Sequence, residues 1–570
     1  MALHNEDPSA FVDELLEGYV LSHAGLCFER AEDARVVLRR QPSPTGIVAL
    51  VSGGGSGHEP AHAGFVGDGC LSAAVCGDTF ASPSASAVLR AILSVCSPAG
   101  VLLVVKNYTG DRLNFGVARE RALALGCAVE TVLVGDDVAL SVNPVVGRRG
   151  LAGALFVHKV AGAAAAAGLP LALVAEEALA ISRALATVNC ALSLASLPGS
   201  TCSHRTPPGT LDFGGGIHGE TGAQQLPLQP ADAVVAQMLA RLLNNDFVSF
   251  PPGCGVALLV SSLGGTPLGE VAIVCRAAVA GLRAAGRRVR RVYSGALMTS
   301  LDARGVSLTL LRIDSDALLA RLDAPTDAPA WPRFCGMPDE LSAAPTLLAA
   351  APATDSVLLP PGAIVRDHPL GNAIRAAASR LVALEAQLDA WDAVAGDGDC
   401  GATLAKGAAA VLADLGRYRL ECPADTLAGL AASVRRSVGG TSGVLFDILF
   451  SAAEAHVRAT GNCDWLATAE SGVAAVMRYG GAQPGMRTML DAWVPALEAA
   501  RGAGGWKALE AAAAAAEQGA EATKEMQARA GRSSYIAPAA LRDTPDPGAM
   551  AVAALLRAAA DSRLEREWMN

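Results

Sequence analysis

The sequence predicts a chain of two domains, an α/β domain followed by an all-helical domain. Three observations predict this arrangement in the 570 residues. Apolar, strand-like runs that end in glycine and polar residues recur through residues 1–335 and alternate with helical segments. A stretch rich in proline and alanine, residues 336–365, breaks that pattern. Apolar residues then recur at helical spacing over 366–570, so we expect two domains joined by a linker.

Four apolar runs predict strands of the first domain. Each run is continuous rather than alternating and is followed by glycine and polar residues. That pattern is typical of strands buried on both faces, with loops at their carboxyl ends. In open α/β sheets those loops form the binding site. The runs are GIVALVSGGG, VLLVVKNYTGD, VETVLVGDD and VALLVSSLGG.

Six segments predict helices in the second domain, where strand-like runs are nearly absent. Apolar residues recur in these segments every three or four positions, which places them on one face of a helix. We therefore expect six or more helices. The segments are LGNAIRAAASRLVALEAQLDAWDAVA, DTLAGLAASVRRSV, GVLFDILFSAAEAHV, TMLDAWVPALEAARG, WKALEAAAAAAEQGAEATKEM and DPGAMAVAALLRAAADSRL.

Composition and charge exclude several classes of partner. The formal net charge is −10 and no basic block occurs, so we expect no nucleic-acid partner. The 13 cysteines are scattered without a Cys-x-x-Cys pair, which argues against a disulfide framework and a structural zinc site. The N-terminal residues lack an apolar signal core, and the longest uncharged stretch, between Lys159 and Glu176, is too short to span a membrane. These observations predict a cytoplasmic protein without a membrane partner.

Three aspartates in WDAVAGDGDCGATLAKGA, residues 391–408, predict a metal site. Asp392, Asp397 and Asp399 lie close in sequence, glycines flank the last two, and their charges would repel unless a cation neutralised them. Clustered carboxylates suit Mg²⁺, which in enzymes usually carries phosphate. The helix that follows could hold a phosphate at its N-terminal amides. The alternatives are an acidic surface turn and a Ca²⁺ loop, although no EF-hand spacing continues the motif.

Three further glycine turns open helices in the same domain. Each alone is typical of ordinary helix capping. Beside an aspartate cluster they make a nucleotide site plausible, although the chain has no Walker motif, kinase glycine loop or GxGxxG. The residues are Thr441 and Ser442, then Gly485, Arg487 and Thr488, and finally Asp546 and Gly548.

Glycine-rich turns also present polar side chains in the first domain. VSGGGSGHEPAHAG, residues 51–64, leaves backbone amides open to a small oxygenated ligand. Its H-E-x-x-H pattern is not a zinc-protease helix, because Pro60 stands inside it. Lys106 and Asp111 end another strand and form either a solvated ion pair or part of an active site. GGGIHGETG, residues 214–222, presents one imidazole, that of His218, in a turn that something can approach closely.

Taken in order, these motifs resemble the dihydroxyacetone kinase family, and its single-chain ATP-dependent type above all. The similarity runs from about residue 20 to 560, and the ordered set is far more specific than any single glycine turn. The motifs are GGGSGHEPAHAGF, KNYTGDRLNF, GGGIHGE, LGGT, GDGDCG, GGTSG, GRSSYI and DPGA. The chain departs from the family pattern at Ser261, Ser262, Ala402 and Met486, none of which is a named catalytic group.

The resemblance implies a two-lobed α/β substrate domain and a helical barrel that carries ATP and Mg²⁺. It implies that His218 forms a covalent hemiaminal with the substrate, that Asp111 is the general base and that His58 takes part in catalysis. The implied substrate-binding residues are Gly55, Ser56, Gly57, His58, Lys106 and Asp111. The implied Mg²⁺ ligands are Asp392, Asp397 and Asp399. The implied ATP-binding residues are Asp399, Cys400, Gly401, Ala402, Thr403, Thr441, Ser442, Gly485, Arg487, Asp546, Pro547 and Gly548.

The expected reaction is ATP-dependent phosphorylation of dihydroxyacetone, with glyceraldehyde as a second substrate. Some members of the family also split FAD with a divalent metal, Mg²⁺ or Mn²⁺, and the sequence leaves this activity open. The alternatives are a non-catalytic, ketose-binding regulatory protein and phosphotransfer from a carrier protein. A linker of about 30 residues could extend to ~100 Å. We therefore expect a homodimer in which the helical domain of one chain meets the substrate domain of the other.

Overall fold

The computed structural model describes most of the chain. It gives residues 5, 7–31, 34–42, 44–140, 146–199, 206–332, 358–359, 368–394, 396–438, 440–530 and 532–562. The chain divides into two compact units, Met1–Thr346 and Leu347–Asn570, which we describe separately. The predicted linker, residues 336–365, lies outside the described residues except for 358 and 359, so it stays a prediction.

The first sheet of the first unit contains the glycine-rich strand that sequence analysis singled out. Its strands are β1 (Leu26–Ala31), β2 (Ala34–Arg39), β3 (Ala49–Ser56), β4 (Ala73–Thr79), β5 (Val101–Lys106) and β6 (Val129–Val134). They are ordered β1-β2-β4-β3-β5-β6, and the last four in this order run parallel. Every residue of β3 and β5 is buried, as their continuous apolar runs predict, while β6 alternates because it lies at an edge.

The second sheet is mostly antiparallel. Its strands are β7 (Leu185–Ser193), β8 (Thr210–Phe213), β9 (Gln224–Pro227), β10 (Gly255–Ser262), β11 (Arg288–Gly295) and β12 (Arg304–Ile313). They are ordered β11-β10-β12-β7-β8-β9, and β10 pairs parallel with β11 but antiparallel with β12. The strand β10 is buried throughout, so its apolar run signals burial on both faces and not strand direction.

Helices cover both faces of these sheets. They are α1 (Phe11–Leu21), α2 (Ala85–Val95), α3 (Thr109–Ala124), α4 (Ala154–Ala166), α5 (Leu171–Arg183), α6 (Ala231–Leu243), α7 (Leu268–Ala284) and α8 (Asp316–Asp323). The helices α2 and α3 pack on one face of the first sheet, and α4 and α5 pack on the other. The helices α6 and α7 pack on the second sheet.

The helix α4 lies between the two sheets and joins the two lobes. Twelve of its 13 residues are buried. Its residue Leu155 belongs to a core that also holds Leu102 of the first sheet and Leu259 of the second. A Cβ at Gly162 of α4 would lie 2.4 Å from the Cα of Cys70, so its small residues let the backbones approach. The predicted two-lobed α/β architecture is confirmed.

The second unit is a closed barrel of helices. Its helices are α9 (Pro369–Ala383), α10 (Glu385–Asp392), α11 (Cys400–Asp414), α12 (Pro423–Ser437), α13 (Gly440–Thr460), α14 (Trp465–Gly480), α15 (Leu490–Ala500), α16 (Trp506–Ala522) and α17 (Pro547–Asp561). The helix α9 packs on α11, each helix from α11 to α17 packs on the next, and α17 closes the ring on α9. The short helix α10 packs on α9, α11 and α17.

The six predicted helical segments all form helices, with two differences. The first segment is divided at Leu384 into α9 and α10, because the backbone there leaves helical geometry. The helices α11 and α14 are not among the six segments: α11 is the helix expected after the aspartate motif, and the apolar face of α14 packs in the core of the barrel. No helix of the described part is long and apolar enough to cross a membrane, and its cysteines are all free thiols.

We expect Gly519→Ala in α16 to destabilise the protein. In α15, the carbonyl of Asp491 would accept a helical hydrogen bond from residue 495, but Pro495 has no N–H. The helix α16 packs close to that carbonyl. A Cβ at Gly519 would lie 2.0 Å from its oxygen, so the two helices would have to separate. Overpacking costs about 1–3 kcal/mol, against ~1 kcal/mol returned when alanine replaces a helical glycine. Urea unfolding of the full chain, followed by circular dichroism, measures the change.

Gly480→Ala in α14 is the matched control for this prediction. A Cβ at Gly480 would meet the Cδ2 of Leu445 at 3.7 Å, which is an ordinary van der Waals distance. Equal unfolding midpoints for the two variants would contradict the view that α15 and α16 are held by close approach at Gly519.

Candidate functional site

The glycine-rich turn that carries His218 follows β8 and folds back on itself. The amide of Gly216 donates to the carbonyl of Glu220 (3.2 Å), and the amide of His218 donates to Oε2 of Glu220 (2.8 Å). A Cβ at Gly216 would lie 2.0 Å from that carboxylate oxygen, so only glycine leaves room for it. The glycine therefore lets the Glu220 side chain return to the histidine that precedes it.

Glu220 also contacts the imidazole of His218. Its Oε1 lies 3.4 Å from Nδ1 of the ring. Burial raises the pKa of Glu220, but the hydrogen bonds and charge of His218 outweigh burial and lower that pKa to about 2. The carboxylate is therefore ionised at neutral pH and favours a proton on Nδ1, which leaves Nε2 with its lone pair. The His218 side chain is 19% exposed, so a ligand can reach it.

His58 follows the end of β3 and lies against His218. The two ring centroids are 4.9 Å apart in an edge-to-face arrangement, and His58 stacks on Phe80 at 5.2 Å. Nδ1 of His58 donates to the carbonyl of Thr299 (2.9 Å). Burial, followed by the charges of Lys106 and His218, holds the pKa of His58 well below its ordinary value. His58 is therefore neutral, and its Nε2 can only accept a hydrogen bond.

Lys106 ends β5, and Asp111 lies in the first turn of α3. Both are buried. Burial lowers the pKa of Lys106 and raises the pKa of Asp111, and each charge partly offsets the shift of the other. Oδ1 of Asp111 accepts a hydrogen bond from Oγ of Ser82 (2.5 Å). A Cβ at Gly54 would lie 3.3 Å from Nζ of Lys106 and 3.5 Å from Oδ2 of Asp111, so both side chains face bare backbone of β3.

Gly55, Ser56 and Gly57 pack against the segment around Phe80. A Cβ at Gly55 would lie 2.8 Å from the Cα of Phe80, and a Cβ at Gly57 would lie 2.8 Å from its ring. The hydroxyl of Ser56 donates to the carbonyl of Gly77 (2.8 Å). These three residues shape the wall of the site, and their part in binding substrate stays a prediction.

Tyr108 completes a group that we call the histidine cluster: His58, Lys106, Tyr108, Asp111 and His218. The ring centroids of Tyr108 and His218 are 4.6 Å apart, edge to face. Among the described residues, Nε2 of His58, Nζ of Lys106 and the Tyr108 hydroxyl are buried without a hydrogen-bond partner. Leaving such a group unpaired costs about 1–3 kcal/mol. A polar ligand that reached these atoms would supply the missing hydrogen-bond partners.

The segment HEPAH forms a turn and not a zinc-protease helix. Residues 58–62 contain no helical turn in the structure, so the two histidines do not share a helix face. Nδ1 of His62 instead lies 2.9 Å from Nε2 of His158 in α4, and both rings are buried. The rejection of the metal-protease interpretation is therefore confirmed.

Asp392, Asp397 and Asp399 come together in the helical unit, as the sequence predicts. One carboxylate oxygen of each lies within 4.8 Å of the other two. Oδ2 of Asp392 accepts hydrogen bonds from the amides of Gly398 (3.0 Å), Asp399 (3.1 Å) and Cys400 (3.3 Å). Asp397 and Asp399 are exposed. Three convergent carboxylates fit a hard cation such as Mg²⁺.

The residues predicted to bind ATP lie at helix starts and in one turn. Some of their amides already have partners, since Ala402 donates to Oδ1 of Asp389 (3.0 Å) and Gly485 donates to Asp491 (2.5 Å). Their roles as ATP contacts stay predictions. The residues are Cys400, Gly401, Ala402 and Thr403 at α11, Thr441 and Ser442 at α13, Gly485 and Arg487 before α15, and Asp546, Pro547 and Gly548 at α17.

Arg487 is buried and Asp546 is partly buried, and the charges of Arg487 and Asp392 both act on Asp546. Nη2 of Arg487 donates to the carbonyl of Thr544 (2.8 Å), while its Nε and Nη1 have no partner in the described part of the chain. Asp546 caps α17 through the amide of Ala549 (2.8 Å). Burial raises the pKa of Asp546 to about 6, and the negative charge of Asp392 adds to this rise. A cation or a phosphate group bound here would relieve these unpaired charges.

Four residues at the histidine cluster are not predicted from the sequence. Glu220 and Tyr108 stand two positions after His218 and Lys106, so both were within the quoted motifs, but spacing alone does not reveal ring contacts. Gly54 also lies in a quoted run. Ser82 comes from a separate segment, and no sequence signal marks it.

Comparison with known proteins relates both units to one family. A model of the Dak1 domain matches residues 17–330, and a model of the DAK2 domain matches residues 394–561. A Solanum lycopersicum protein, provisionally named as a 3,4-dihydroxy-2-butanone kinase, is 46% identical over 97% of both chains. The triokinase/FMN cyclase of Rattus norvegicus is 40% identical over 96% of both chains. The crystal structure of the dihydroxyacetone kinase from C. freundii in complex with AMP-PNP and Mg²⁺ has a TM-score of 0.66 and 35% identity, covering 98% of this chain and 99% of that one.

We expect Asp392→Ala to destabilise the metal-free protein more than Asp397→Ala does. Asp392 holds the turn through three amides, whereas Asp397 is exposed in a cluster of like charges. Loss of such a cap costs about 1–2 kcal/mol. Thermal unfolding in EDTA measures the difference, and equal losses would contradict the structural role of Asp392. Added Mg²⁺ should raise the unfolding temperature of the wild type and leave both variants unchanged.

Proposed function

The chain belongs to the dihydroxyacetone kinase family, and we propose that it transfers the γ-phosphoryl group of ATP to dihydroxyacetone, with glyceraldehyde as a second substrate. It is a kinase that carries both domains of the family in one chain. The observation that supports this choice of substrate is the histidine cluster, in which an accessible imidazole adjoins a buried lysine and a buried carboxylate. A short ketose offers a carbonyl to the imidazole and a hydroxyl group to the carboxylate.

The first step of the proposal is a covalent hemiaminal between His218 and the carbonyl carbon. Nε2 attacks that carbon, an N–C bond forms, and the C=O double bond becomes a C–OH single bond. The new alkoxide takes a proton from Lys106, which becomes neutral, and the alkylated ring keeps its Nδ1 proton and becomes a cation that the Glu220 carboxylate stabilises, so atoms and charge balance. His58 would accept a hydrogen bond from a substrate hydroxyl through Nε2. Glycerol lacks a carbonyl and would be rejected.

Asp111 would then act as the general base. It accepts the proton of the substrate hydroxyl that attacks the phosphoryl group. Burial raises the pKa of Asp111, which makes the carboxylate a better proton acceptor than an exposed aspartate. Ser82 donates to Oδ1 and so leaves Oδ2 as the oxygen toward Lys106 and Gly54.

ATP and Mg²⁺ belong to the helical unit in this proposal. Asp392, Asp397 and Asp399 fit Mg²⁺, which when bound neutralises the phosphate oxygens. The two unpartnered nitrogens of Arg487 would donate to a phosphate group, and the starts of α11, α13 and α17 would surround the nucleotide. The related kinase whose crystal structure contains AMP-PNP and Mg²⁺ supports this assignment.

The alternative functions fit the residues less well. A non-catalytic, ketose-binding regulator would need neither Asp111 nor the three aspartates. A kinase that takes phosphate from a carrier protein would not need the two unpartnered nitrogens of Arg487 to bind a nucleotide phosphate. The predicted homodimer and cytoplasmic location stay predictions.

FAD splitting is the second activity that we propose. The Rattus norvegicus relative is named both triokinase and FMN cyclase. Splitting FAD into AMP and cyclic riboflavin phosphate joins two groups of one molecule, so no ketone has to be held by an imidazole. The aspartate cluster, with Mg²⁺ or Mn²⁺, would be sufficient to neutralise the diphosphate.

We expect His218→Ala to abolish both the adduct and the kinase reaction. Glu220→Gln should keep the fold of the turn but slow adduct formation about 100-fold, because a neutral amide does not stabilise the positive charge that develops on the ring. Dihydroxyacetone labelled with ¹³C at the carbonyl carbon reports the adduct by NMR, since that carbon becomes tetrahedral. Asp397→Asn is the control and should form the adduct without turnover. Normal kinase turnover by His218→Ala would overturn the covalent step.

The two proposed activities should separate by mutation. Asp399→Asn should abolish both phosphorylation of dihydroxyacetone and FAD splitting, because both need the metal. His218→Ala should abolish only the kinase reaction, and ATP should compete with FAD. Fluorescence of the released flavin, with Mg²⁺ or Mn²⁺, measures the splitting. A folded His218→Ala protein that binds ATP but no longer splits FAD would contradict the separation.

A further inference from the structure

A second polar cavity lies at the carboxyl end of β6 in the first unit. It has a volume of about 370 Å³ and is lined in part by Asn107, Gly147 and three arginines, Arg112, Arg148 and Arg183. None of the five residues of the histidine cluster lines it. The cavity is shallow and open to solvent, so it suits a small ion more than a molecule that must be enclosed.

The three arginines of this cavity lack an acidic partner among the described residues. Nη1 of Arg112 reaches only the carbonyl oxygen of Val146, at 3.5 Å. Nη1 of Arg148 is buried without a hydrogen-bond partner. The side chain of Arg183 forms no hydrogen bond or ion pair with any residue that the structure describes. Three cations therefore face one cavity in a chain whose formal net charge is −10.

Asp136 and Asp137, the acids whose charges act on Arg148, already accept hydrogen bonds from other groups. Asp137 pairs with Arg149 (2.7 Å). Asp136 accepts hydrogen bonds from the amides of Leu151 (2.6 Å) and Gly153 (2.8 Å). These two acids offset only part of the cost of burying the Arg148 guanidinium, because burial still lowers its pKa. A further anion at the cavity would complete the balance of charge.

The cavity is held in place by contacts of its own. The guanidinium of Arg148 lies 4.7 Å from the centroid of the Phe247 ring, a cation–π contact. Nδ2 of Asn107 donates to the carbonyls of Val146 (2.9 Å) and Arg148 (2.7 Å), which fixes the backbone from which Arg148 projects. The positive charge is thus preorganised and does not depend on flexible surface side chains alone.

A neighbouring groove contains an arginine that does have an acidic partner. The groove continues along α3 and shares Arg112 and Leu133 with the cavity. Its own arginine, Arg119, pairs with Glu120 (2.8 Å), so that part of the groove is balanced. Of the arginines that line the cavity and this groove, those without an acidic partner in the described residues are therefore the three that line the cavity, Arg112, Arg148 and Arg183.

We propose that this cavity binds a phosphate-type anion, either inorganic phosphate or the phosphate group of a monoester. Guanidinium groups match the oxygens of a phosphate by paired hydrogen bonds, and three of them exceed what one carboxylate would need. The site is distinct from the substrate and nucleotide sites proposed above. It adjoins the histidine cluster through Asn107, which stands between Lys106 and Tyr108 in the chain.

Residue-resolved modification by phenylglyoxal tests the proposal on the full chain. Phosphate at about four times its Kd should slow the modification of Arg112 and Arg183 about five-fold by mass action. Arg121, exposed on the same helix as Arg112 and outside the cavity, should react at an unchanged rate. Peptide mass spectrometry measures each rate in a buffer free of other oxyanions. Parallel runs with glycerol 3-phosphate, which lacks a carbonyl, show whether the ester binds more tightly than inorganic phosphate.

Two variants decide whether protection comes from this site. Arg148→Gln should remove the protection of both Arg112 and Arg183 by phosphate. Arg183→Gln, at an exposed position, should weaken the protection of Arg112 without affecting folding. No protection in the wild type, equal protection of Arg121, or protection that persists in both variants would each overturn the proposal.

Discussion

The histidine cluster depends on backbone pairing between the two lobes of the first unit. The amide of Thr299 donates to the carbonyl of His58 (3.1 Å), and the amide of Leu301 donates to the carbonyl of Gly57 (2.8 Å). The His58 ring adds a third bond to the same segment. Because α4 is buried between the two sheets, the lobes that carry these segments share one core. His58 from the first lobe therefore meets His218 from the second without relying on the contact of the two rings.

That rigid frame permits the cluster to keep polar atoms unpaired. Nε2 of His58, Nζ of Lys106 and the Tyr108 hydroxyl together forgo several hydrogen bonds, each worth about 1 kcal/mol. The opposed charges of Lys106 and Asp111 limit the further cost of burying them. Such a cost is tolerated where a ligand restores the missing partners, so the unpaired atoms outline the polarity of the molecule that the site accepts.

The strands and helices are largely predictable from the sequence, whereas the contacts between them are not. Continuous apolar runs identify β3, β5 and β10 because burial leaves a compositional signal, but they do not tell that β10 pairs antiparallel with β12, since strand direction is a property of the connections. The aspartate cluster is predictable because its three members are neighbours in the chain. Ser82 is not, because it reaches Asp111 only through the packing of α2 and α3. Gly216 and Glu220 are an intermediate case. The sequence shows the glycine-rich motif, but only the structure shows that the Glu220 carboxylate occupies the space beside Gly216.

The two clusters handle negative charge in opposite ways, and the difference follows from burial. In the histidine cluster, Asp111 is buried. Burial raises its pKa, and the charge of Lys106 partly offsets that rise. In the helical unit, one oxygen of Asp392 accepts hydrogen bonds from three backbone amides, while Asp397 and Asp399 are exposed. Amides hold a turn without adding a countercharge, so they do not cancel the attraction of Asp392 for a cation. A lysine in place of those amides would hold the same turn but weaken the binding of the metal. Burial and a lysine thus set the pKa of Asp111, whereas backbone amides hold the turn at Asp392 and add no countercharge to it.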